Sequence, residues 1–274
     1  MRSSLKSILV GVGIGTGLLA ASGEAASYTF QGVAQSRDLT LLSDWMINAN
    51  VGADTTLGLG NQAGPDKRTL IGFDLSSIPA GATVTSATLR LTLVSNVGTD
   101  TDPLVNGTAS IYTVFGTNAG WGEGATGYSD PAGAGEATWN YANHNTVTWR
   151  NSAGAGSFPG LGNPGDAYAA SVVGSFPVFG HGPAYETYVT NYTQTVTLSD
   201  LTGIQNWLVN PAQNAGFLIR VNTGTNLWWN YYSSEVANAS FQPMLTIEAS
   251  IPEPASAAVL GLAGLGLSAC RRRR

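Results

Sequence analysis

The chain is poor in the side chains that usually perform chemistry. Its 274 residues include one cysteine and two histidines, and only 11% of them are charged. The cysteine, Cys270, lies close to the C-terminus, so the rest of the chain has neither a disulfide nor a thiolate metal site. The fold must therefore be stabilised by packing and hydrogen bonds, and acid–base catalysis has few candidate groups.

Positive charge is also scarce in the central part of the chain. Between positions 27 and 250, six basic residues face fifteen acidic ones, which gives a formal charge of −9. This balance argues against nucleic acid and anionic membrane surfaces as partners. A polyanionic glycan would need a bridging cation such as calcium.

The N-terminal segment has the pattern of a secretory signal peptide. Arg2 and Lys6 form a basic region, and an apolar run extends from Ile8 to Ala21. Small residues follow near Ala26 and suit cleavage. We therefore expect residues 1–26 to be a signal peptide.

The C-terminal segment has a complementary pattern. An uncharged stretch from Ala255 to Cys270 precedes four arginines. A helix of this length spans about 24 Å, slightly less than a hydrocarbon core of about 30 Å. The arginines favour a basic end that stays in the cytoplasm. The pattern predicts an apolar helix that inserts transiently into the inner membrane.

These features together resemble the PEP-CTERM sorting signal of Gram-negative bacteria. The resemblance rests on a short acidic proline motif, the apolar helix and a terminal basic cluster. Its motif residues are Pro252, Glu253, Pro254, Arg271, Arg272, Arg273 and Arg274. It implies that residues 251–274 are a sorting signal recognised and removed by an exosortase, a membrane protease-transpeptidase. It also implies delivery to the cell surface or the extracellular polysaccharide matrix.

The central part has the pattern of an all-β domain, with frequent turn formers among 35 glycines and 12 prolines. Ala87, Leu89, Leu91 and Leu93 alternate with polar residues, which is typical of a half-buried strand. The other predicted strands are 69–73, 110–115, 146–149, 192–198, 216–222, 227–233 and 243–249.

One helix is predicted, beginning near Ser199 or Asp200 and ending at Asn210. We therefore expect residues 27–250 to form one antiparallel two-sheet jelly-roll sandwich with a short helix. Two glycine-rich segments, 118–135 and 152–182, fit either surface insertions or the walls of a binding groove.

The central part also resembles DNRLRE domains, which are similar to family-ninety-six carbohydrate-binding modules. The resemblance is carried by the segments Lys67–Gly81, Ala87–Leu91, Trp121-Gly122-Glu123, Ser233-Ser234-Glu235 and Pro243–Leu245. It implies a jelly-roll sandwich and extracellular glycan binding. Gln242 departs from the pattern, because members often carry arginine before the equivalent proline.

Few residues suit catalysis. His144 and Arg150 are residue types used by polysaccharide lyases, but their spacing matches no lyase motif. Glu123 and Glu136 could form a glycosidase pair, yet they lie in glycine-rich sequence that fixes no separation between them. For Glu123, a structural hydrogen bond is the favoured role. We expect no catalytic residues and no cofactor.

Metal binding has a weak signal. Asp100 and Asp102 place two carboxylates close together, and Asp38, Asp44 and Asp66 occur earlier. Carboxylate oxygens suit calcium, so a structural calcium site at Asp100 and Asp102 is one interpretation. Solvated loop carboxylates are the other.

Aromatic residues give the stronger lead. In the run 227–232, alternation places Trp229 and Tyr231 in the core and Trp228, Asn230 and Tyr232 on the opposite face. Flat aromatic rings suit packing against sugars. We therefore expect Trp228, Asn230 and Tyr232 to bind glycan if that face is open, and to be packing residues if it is covered.

The sequence thus predicts an exported, non-catalytic surface or matrix protein that associates with polysaccharide. The alternatives are a secreted polysaccharide lyase or other glycan-degrading enzyme, and a purely structural biofilm protein.

Overall fold

The computed structural model describes residues 24–61, 66–98, 107–127, 130–178, 191–221 and 227–252. The side chains of Asn61, 95–98, Leu227 and Trp228 are outside that description. The chain divides into two units, the body Ala25–Ile251 and the terminal segments Met1–Glu24 and Pro252–Arg274. Nearly all of the second unit lies outside the described residues, including the predicted sorting helix.

The described residues are mostly β-structure. The strands are β1 (Glu24–Gln31), β2 (Ser36–Leu42), β3 (Thr56–Asn61), β4 (Asp66–Phe73), β5 (Thr83–Gly98), β6 (Gly107–Thr113), β7 (Tyr141–Asn143), β8 (Val147–Thr148), β9 (Gly174–Val178), β10 (Tyr192–Thr197), β11 (Phe217–Val221), β12 (Leu227–Tyr232) and β13 (Met244–Ile251). The single short α-helix of these residues is α1 (Thr202–Val209). Short 3₁₀ turns occupy Asp44–Met46, Gly116–Asn118, Pro159–Leu161 and Pro211–Gln213.

Eleven of the strands form one continuous sheet, curled into a half-barrel. Its order is β1-β13-β5-β12-β3-β4-β11-β6-β9, with β10 also pairing β5 and β2 also pairing β4. Strands β7 and β8 form a separate hairpin. The prediction of a mostly β fold is confirmed, but the described strands form one large sheet and a hairpin, so the two-sheet jelly-roll sandwich is not confirmed.

The continuity of the sheet depends on β5, which is 16 residues long. Residues Thr83–Arg90 of β5 pair with β13, and Leu93–Gly98 pair with β12. A register shift at Asn230/Tyr231 accompanies the second pairing. One long strand therefore joins two halves that the turn-rich sequence suggested were separate sheets.

The alternation predicted for β5 is confirmed, with one exception. Ala87, Leu89, Leu91 and Leu93 are buried in the main core. Thr92, expected on the polar face, is fully buried, and its hydroxyl pairs with that of Thr193 on β10. The neighbouring strand covers a position that local sequence marked as exposed.

Hydrophobic clusters lie on both faces of β4, β6 and β11. Ile71 and Phe217 belong to the larger cluster, whereas their neighbours Leu70 and Leu218 belong to the second. Successive side chains of a strand point to opposite faces, so both faces are covered. Loop residues Trp121, Trp149, Leu161 and Tyr168 complete the second cluster. The described parts of the two glycine-rich segments therefore contribute to this packed cover.

The predicted helix is present, but it begins at Thr202 with Leu201 as its N-cap residue, in place of Ser199 or Asp200. Ile204, Trp207 and Leu208 of α1 are buried, and the helix ends before Asn210. Asp200 Oδ1 accepts a hydrogen bond of 2.9 Å from the Thr202 N–H, just before the first turn. The helix thus contributes its apolar face to the larger cluster.

Candidate functional site

Three carboxylates from distant parts of the chain converge in the body. Asp38 lies on β2, Glu123 on the loop that follows Trp121, and Glu235 on the turn after β12. One oxygen from each lies within 4.8 Å of the others. Three carboxylates at this separation form the only such cluster found among the described residues.

Hydrogen bonds fix one oxygen of each carboxylate. Asp38 Oδ2 accepts from the Ser234 N–H at 3.0 Å, and Glu123 Oε1 accepts from the Asp38 N–H. Glu235 Oε1 accepts from the Ser234 hydroxyl at 3.1 Å. Ser233 anchors the same turn, since its hydroxyl donates to the Asp54 carbonyl at 2.6 Å. The predicted structural hydrogen bond of Glu123 is therefore present.

Two of the remaining carboxylate oxygens are buried without a partner. They are Asp38 Oδ1 and Glu235 Oε2. The Asp38 side chain is 1% exposed. A buried acceptor without a donor costs free energy, so it requires an explanation.

Burial and the charges of neighbouring carboxylates raise the pKa of two groups of the cluster, Asp38 and Glu123. Desolvation raises the pKa of Asp38 well above its usual value, and the charges of Glu235 and Glu123 raise it further. Hydrogen bonds from Ser234 act in the opposite direction. Burial raises the pKa of Glu123 to about 7, and the Glu235 charge adds to this effect. The Asp38 N–H and the Arg37 charge act in the opposite direction on Glu123.

Arg37 supplies the positive charge beside this cluster. Its guanidinium donates to the carbonyls of Trp121 at 2.6 Å, Ala119 at 2.8 Å and Asn214 at 3.4 Å. It also stacks 4.1 Å from the centroid of the Trp121 ring. Desolvation lowers the pKa of Arg37, and the Glu123 charge opposes this shift.

Asn50 holds the loop that carries Glu123. Its fully buried amide donates to the Glu123 carbonyl at 2.6 Å and the Ala137 carbonyl at 2.9 Å. The loop passes so close that a Cβ on Gly52 would lie 2.1 Å from the Glu123 carbonyl oxygen. Gly124 has φ +88°, and a Cβ there would lie 2.3 Å from Asn50 Oδ1. Glycine at both positions allows this close approach.

We expect Asn50→Ala to lower the free energy of unfolding by about 2–4 kcal/mol, because two buried carbonyls lose their donor. Urea unfolding followed by tryptophan fluorescence measures this change. Asn163→Ala, at an exposed position, is the control and should change stability by less than about 0.5 kcal/mol. Equal effects of the two substitutions would contradict the role given to Asn50.

The aromatic strand has the predicted orientation where the structure describes it. Trp229 and Tyr231 are 1% and 2% exposed, whereas Asn230 and Tyr232 are half-buried. Tyr232 stacks on Phe241 at 4.8 Å and donates to Asn191 Oδ1 at 2.8 Å. The face of β12 that carries Asn230 and Tyr232 is thus partly covered at Tyr232. The Trp228 side chain is among those that the structure does not describe.

Trp45 is an exposed aromatic that the sequence analysis did not select. Of the tryptophan side chains that the structure describes, it alone is exposed, at 68%. It follows Asp44, a non-glycine residue with φ +59°. Trp45 also lines a cavity of about 140 Å³ with Met46, Asn48, Ala49 and Pro131. Nothing in its local sequence distinguishes it from the tryptophans that anchor loops.

The residues considered for catalysis, His144 and Glu136, form hydrogen bonds with backbone groups. His144 lies in the β7–β8 hairpin, its Nδ1 is 2.9 Å from the Ala132 carbonyl, and its ring meets Tyr141 edge-on. Glu136 accepts from the N–H groups of Ala125 at 2.9 Å and Gly133 at 2.7 Å. Glu136 therefore ties together the loop that includes Glu123.

Several predicted residues fall outside the description. Asp100 and Asp102, the suggested calcium ligands, are among them. So are Glu253, Pro254 and the four terminal arginines, leaving Pro252 as the one described residue of the sorting motif. Among the described residues, no helix has the length and apolar character needed to span a membrane.

Comparison with known families identifies the C-terminal segment. Residues 250–274 match the PEP-CTERM protein-sorting motif. No curated protein matches the chain. The fold therefore defines a mostly β body, and the motif defines an exported protein that is sorted by an exosortase.

Proposed function

We propose that this exported protein is a non-catalytic component of the cell surface or polysaccharide matrix of a Gram-negative bacterium, and that it binds polysaccharide through exposed aromatic rings. The proposal includes a DNRLRE-like binding module as the role of the body, on the sequence resemblance alone. The proposal depends chiefly on one observation, the 68% exposure of Trp45.

The setting of Trp45 supports a binding role. Met46, its neighbour, is buried with Leu42, Ala49 and Val51 in a small cluster of its own. The N–H of Met46 also donates to the Ser43 carbonyl at 3.3 Å. The indole is therefore presented by an anchored loop, and such preorganisation reduces the entropy lost on binding.

The shape of the surface favours an extended ligand. The cavity beside Trp45, about 140 Å³, is smaller than the roughly 300–1,000 Å³ of enclosed small-molecule sites. An exposed indole beside a small cavity suits one face of a sugar in a chain, because the ring packs against C–H groups. Trp228, Asn230 and Tyr232 are proposed as a second contact surface, with Tyr232 stacked on Phe241.

A binding role is favoured over catalysis because the candidate acid–base groups have structural contacts. The Glu136 carboxylate accepts two backbone N–H groups. His144 pairs with a backbone carbonyl in a hairpin. General acid–base catalysis instead needs a group that can reach a reacting proton.

We expect Trp45→Ala to weaken glycan retardation in affinity electrophoresis by roughly 2- to 12-fold, which corresponds to about 0.5–1.5 kcal/mol of aromatic packing. The full-length protein is run through gels that contain neutral or acidic polysaccharides. Its thermal stability should stay within about 0.5 kcal/mol of the parent, since the side chain is exposed. Val33→Ala, at a position 65% exposed, is the matched control and should not alter retardation.

Other outcomes identify the alternative functions. Tyr232→Ala tests the second surface in the same gels. An absence of retardation by every glycan would favour a purely structural matrix protein. Release of unsaturated products, detected by ultraviolet absorbance and lost in His144→Ala, would instead establish a lyase.

A further inference from the structure

We propose that Asp38, Glu123 and Glu235 form a structural calcium site that joins β2, the Glu123 loop and the turn after β12. The ligand is a divalent cation bound by oxygen atoms only. The proposed ligands differ from Asp100 and Asp102, and the proposal does not depend on glycan binding.

The spacing of the oxygens fits calcium. Calcium–oxygen distances are about 2.3–2.6 Å, so two ligands on opposite sides of the ion are about 4.6–5.2 Å apart. The three carboxylates each place an oxygen within 4.8 Å of the others. A single ion at their centre can therefore contact all three without a large movement of the backbone.

The unpaired oxygens point to a missing partner. Asp38 Oδ1 is buried without a hydrogen bond, although Asp38 Oδ2 is held by Ser234. Glu235 has the same arrangement, with Oε1 held by the Ser234 hydroxyl and Oε2 unpaired. In each of these two carboxylates, a hydrogen bond to one oxygen orients the group, while the second oxygen has no donor. A cation would satisfy both unpaired oxygens at once.

The charge of the cluster and its oxygen ligands also favour a divalent cation such as calcium. Three carboxylates with Arg37 nearby leave a formal charge of −2 when all are ionised, which a divalent cation neutralises. The cluster contains no histidine or cysteine, so it lacks the nitrogen and sulfur ligands typical of structural zinc. Magnesium demands near-ideal octahedral geometry and retains its waters, whereas calcium accepts irregular carboxylate sets.

The position of the cluster gives the ion a structural role. The segments it would connect are far apart in sequence, since Asp38 and Ser234 are 196 positions apart. The body contains no cysteine, so no disulfide can connect them. A metal ion that binds only the folded chain adds its binding free energy to folding.

The test is calcium titration of the full-length protein after treatment with EDTA and removal of the chelator. We expect calorimetry to show one site with a Kd of about 10⁻⁴–10⁻³ M, as in extracellular modules. The melting temperature should then rise with calcium concentration up to about 10 mM, tenfold above the weaker limit. Magnesium at the same concentration should give a smaller shift.

Variants locate the site and separate binding from folding. Asp38→Asn, Glu123→Gln and Glu235→Gln should each weaken calcium binding at least tenfold. Asp130→Asn, at an exposed position of the same glycine-rich segment, is the control and should bind as the parent does. In EDTA, Glu123→Gln should melt at or above the parent temperature because a repelling charge is removed, whereas in calcium it should melt below the parent.

Three results would overturn the assignment. The first is a parent protein whose melting temperature is the same in EDTA and in calcium, which would mean that protons alone neutralise the cluster. The second is calcium binding that all three variants retain, which would place the ion elsewhere. The third is an equal response to magnesium and calcium.

Discussion

Arg37→Ala is expected to lower the free energy of unfolding by about 3–5 kcal/mol. The substitution removes the donor to three backbone carbonyls, on Ala119, Trp121 and Asn214. It also removes the stacking on Trp121 and a positive charge that acts on Glu123. The acidic cluster then loses the compensation that this charge supplies. Urea unfolding in the presence of EDTA measures the loss without any contribution from calcium.

Two further variants show whether the guanidinium itself is responsible. Arg37→Lys should recover only part of the loss, because an ammonium group cannot reproduce the planar fork that reaches several carbonyls. Arg150→Ala is the control, since Arg150 pairs with Asn118 through backbone atoms that the substitution keeps. A loss below about 1 kcal/mol for Arg37→Ala would refute the role assigned to this side chain.

Trp149→Ala is expected to cost a similar amount, about 3–5 kcal/mol. Trp149 is fully buried in the second cluster, and its indole N–H donates to the Thr138 carbonyl at 3.0 Å. Its loss leaves a cavity between the sheet and the loops that cover it. Equilibrium unfolding gives the magnitude, and hydrogen exchange gives the location.

The expected exchange pattern follows from the two clusters. Protection should fall first in the loops around Trp121, Trp149 and Tyr168, whereas β5 should stay protected because its side chains lie in the other cluster. Trp149→Phe retains much of the ring volume but lacks the N–H donor, so it should lose less stability than the alanine variant. A uniform loss of protection over the whole body would show instead that the two clusters unfold as one unit.

The proposed calcium site gives these loops a second attachment. Asn50 and Glu136 hold the Glu123 loop through hydrogen bonds with backbone groups. Calcium would add a charged link from that loop to β2 and to the turn after β12. We therefore expect the Glu123 loop to be the part of the body most sensitive to chelation, while the turn that carries Trp45 stays anchored by the small cluster around Met46.

Local sequence predicted eight of the thirteen strands and α1, because signals of this kind act over a few residues; the predicted strands do not include β1, β2, β3, β7 and β9. The alternation of apolar and polar residues correctly predicted that Leu89 and Leu91 of β5 are buried. The same rule predicted the burial of Trp229 and Tyr231 of β12. The spacing of the apolar residues predicted the buried face of α1, and Asn210 predicted where the helix ends. The sorting motif is likewise a contiguous pattern, which is why it was recognisable without a structure.

Only the tertiary structure decided how those elements associate. The sequence marked Trp-Gly-Glu and Ser-Ser-Glu as separate segments, but the meeting of Glu123 and Glu235 with Asp38 depends on pairings between distant strands. The same is true of Thr92, which is buried by β10, and of the single curled sheet, which depends on two partners along one edge of β5. The physical reason is that backbone dihedrals and side-chain periodicity are local, whereas strand register and the desolvation of a charge depend on which distant segments pack together.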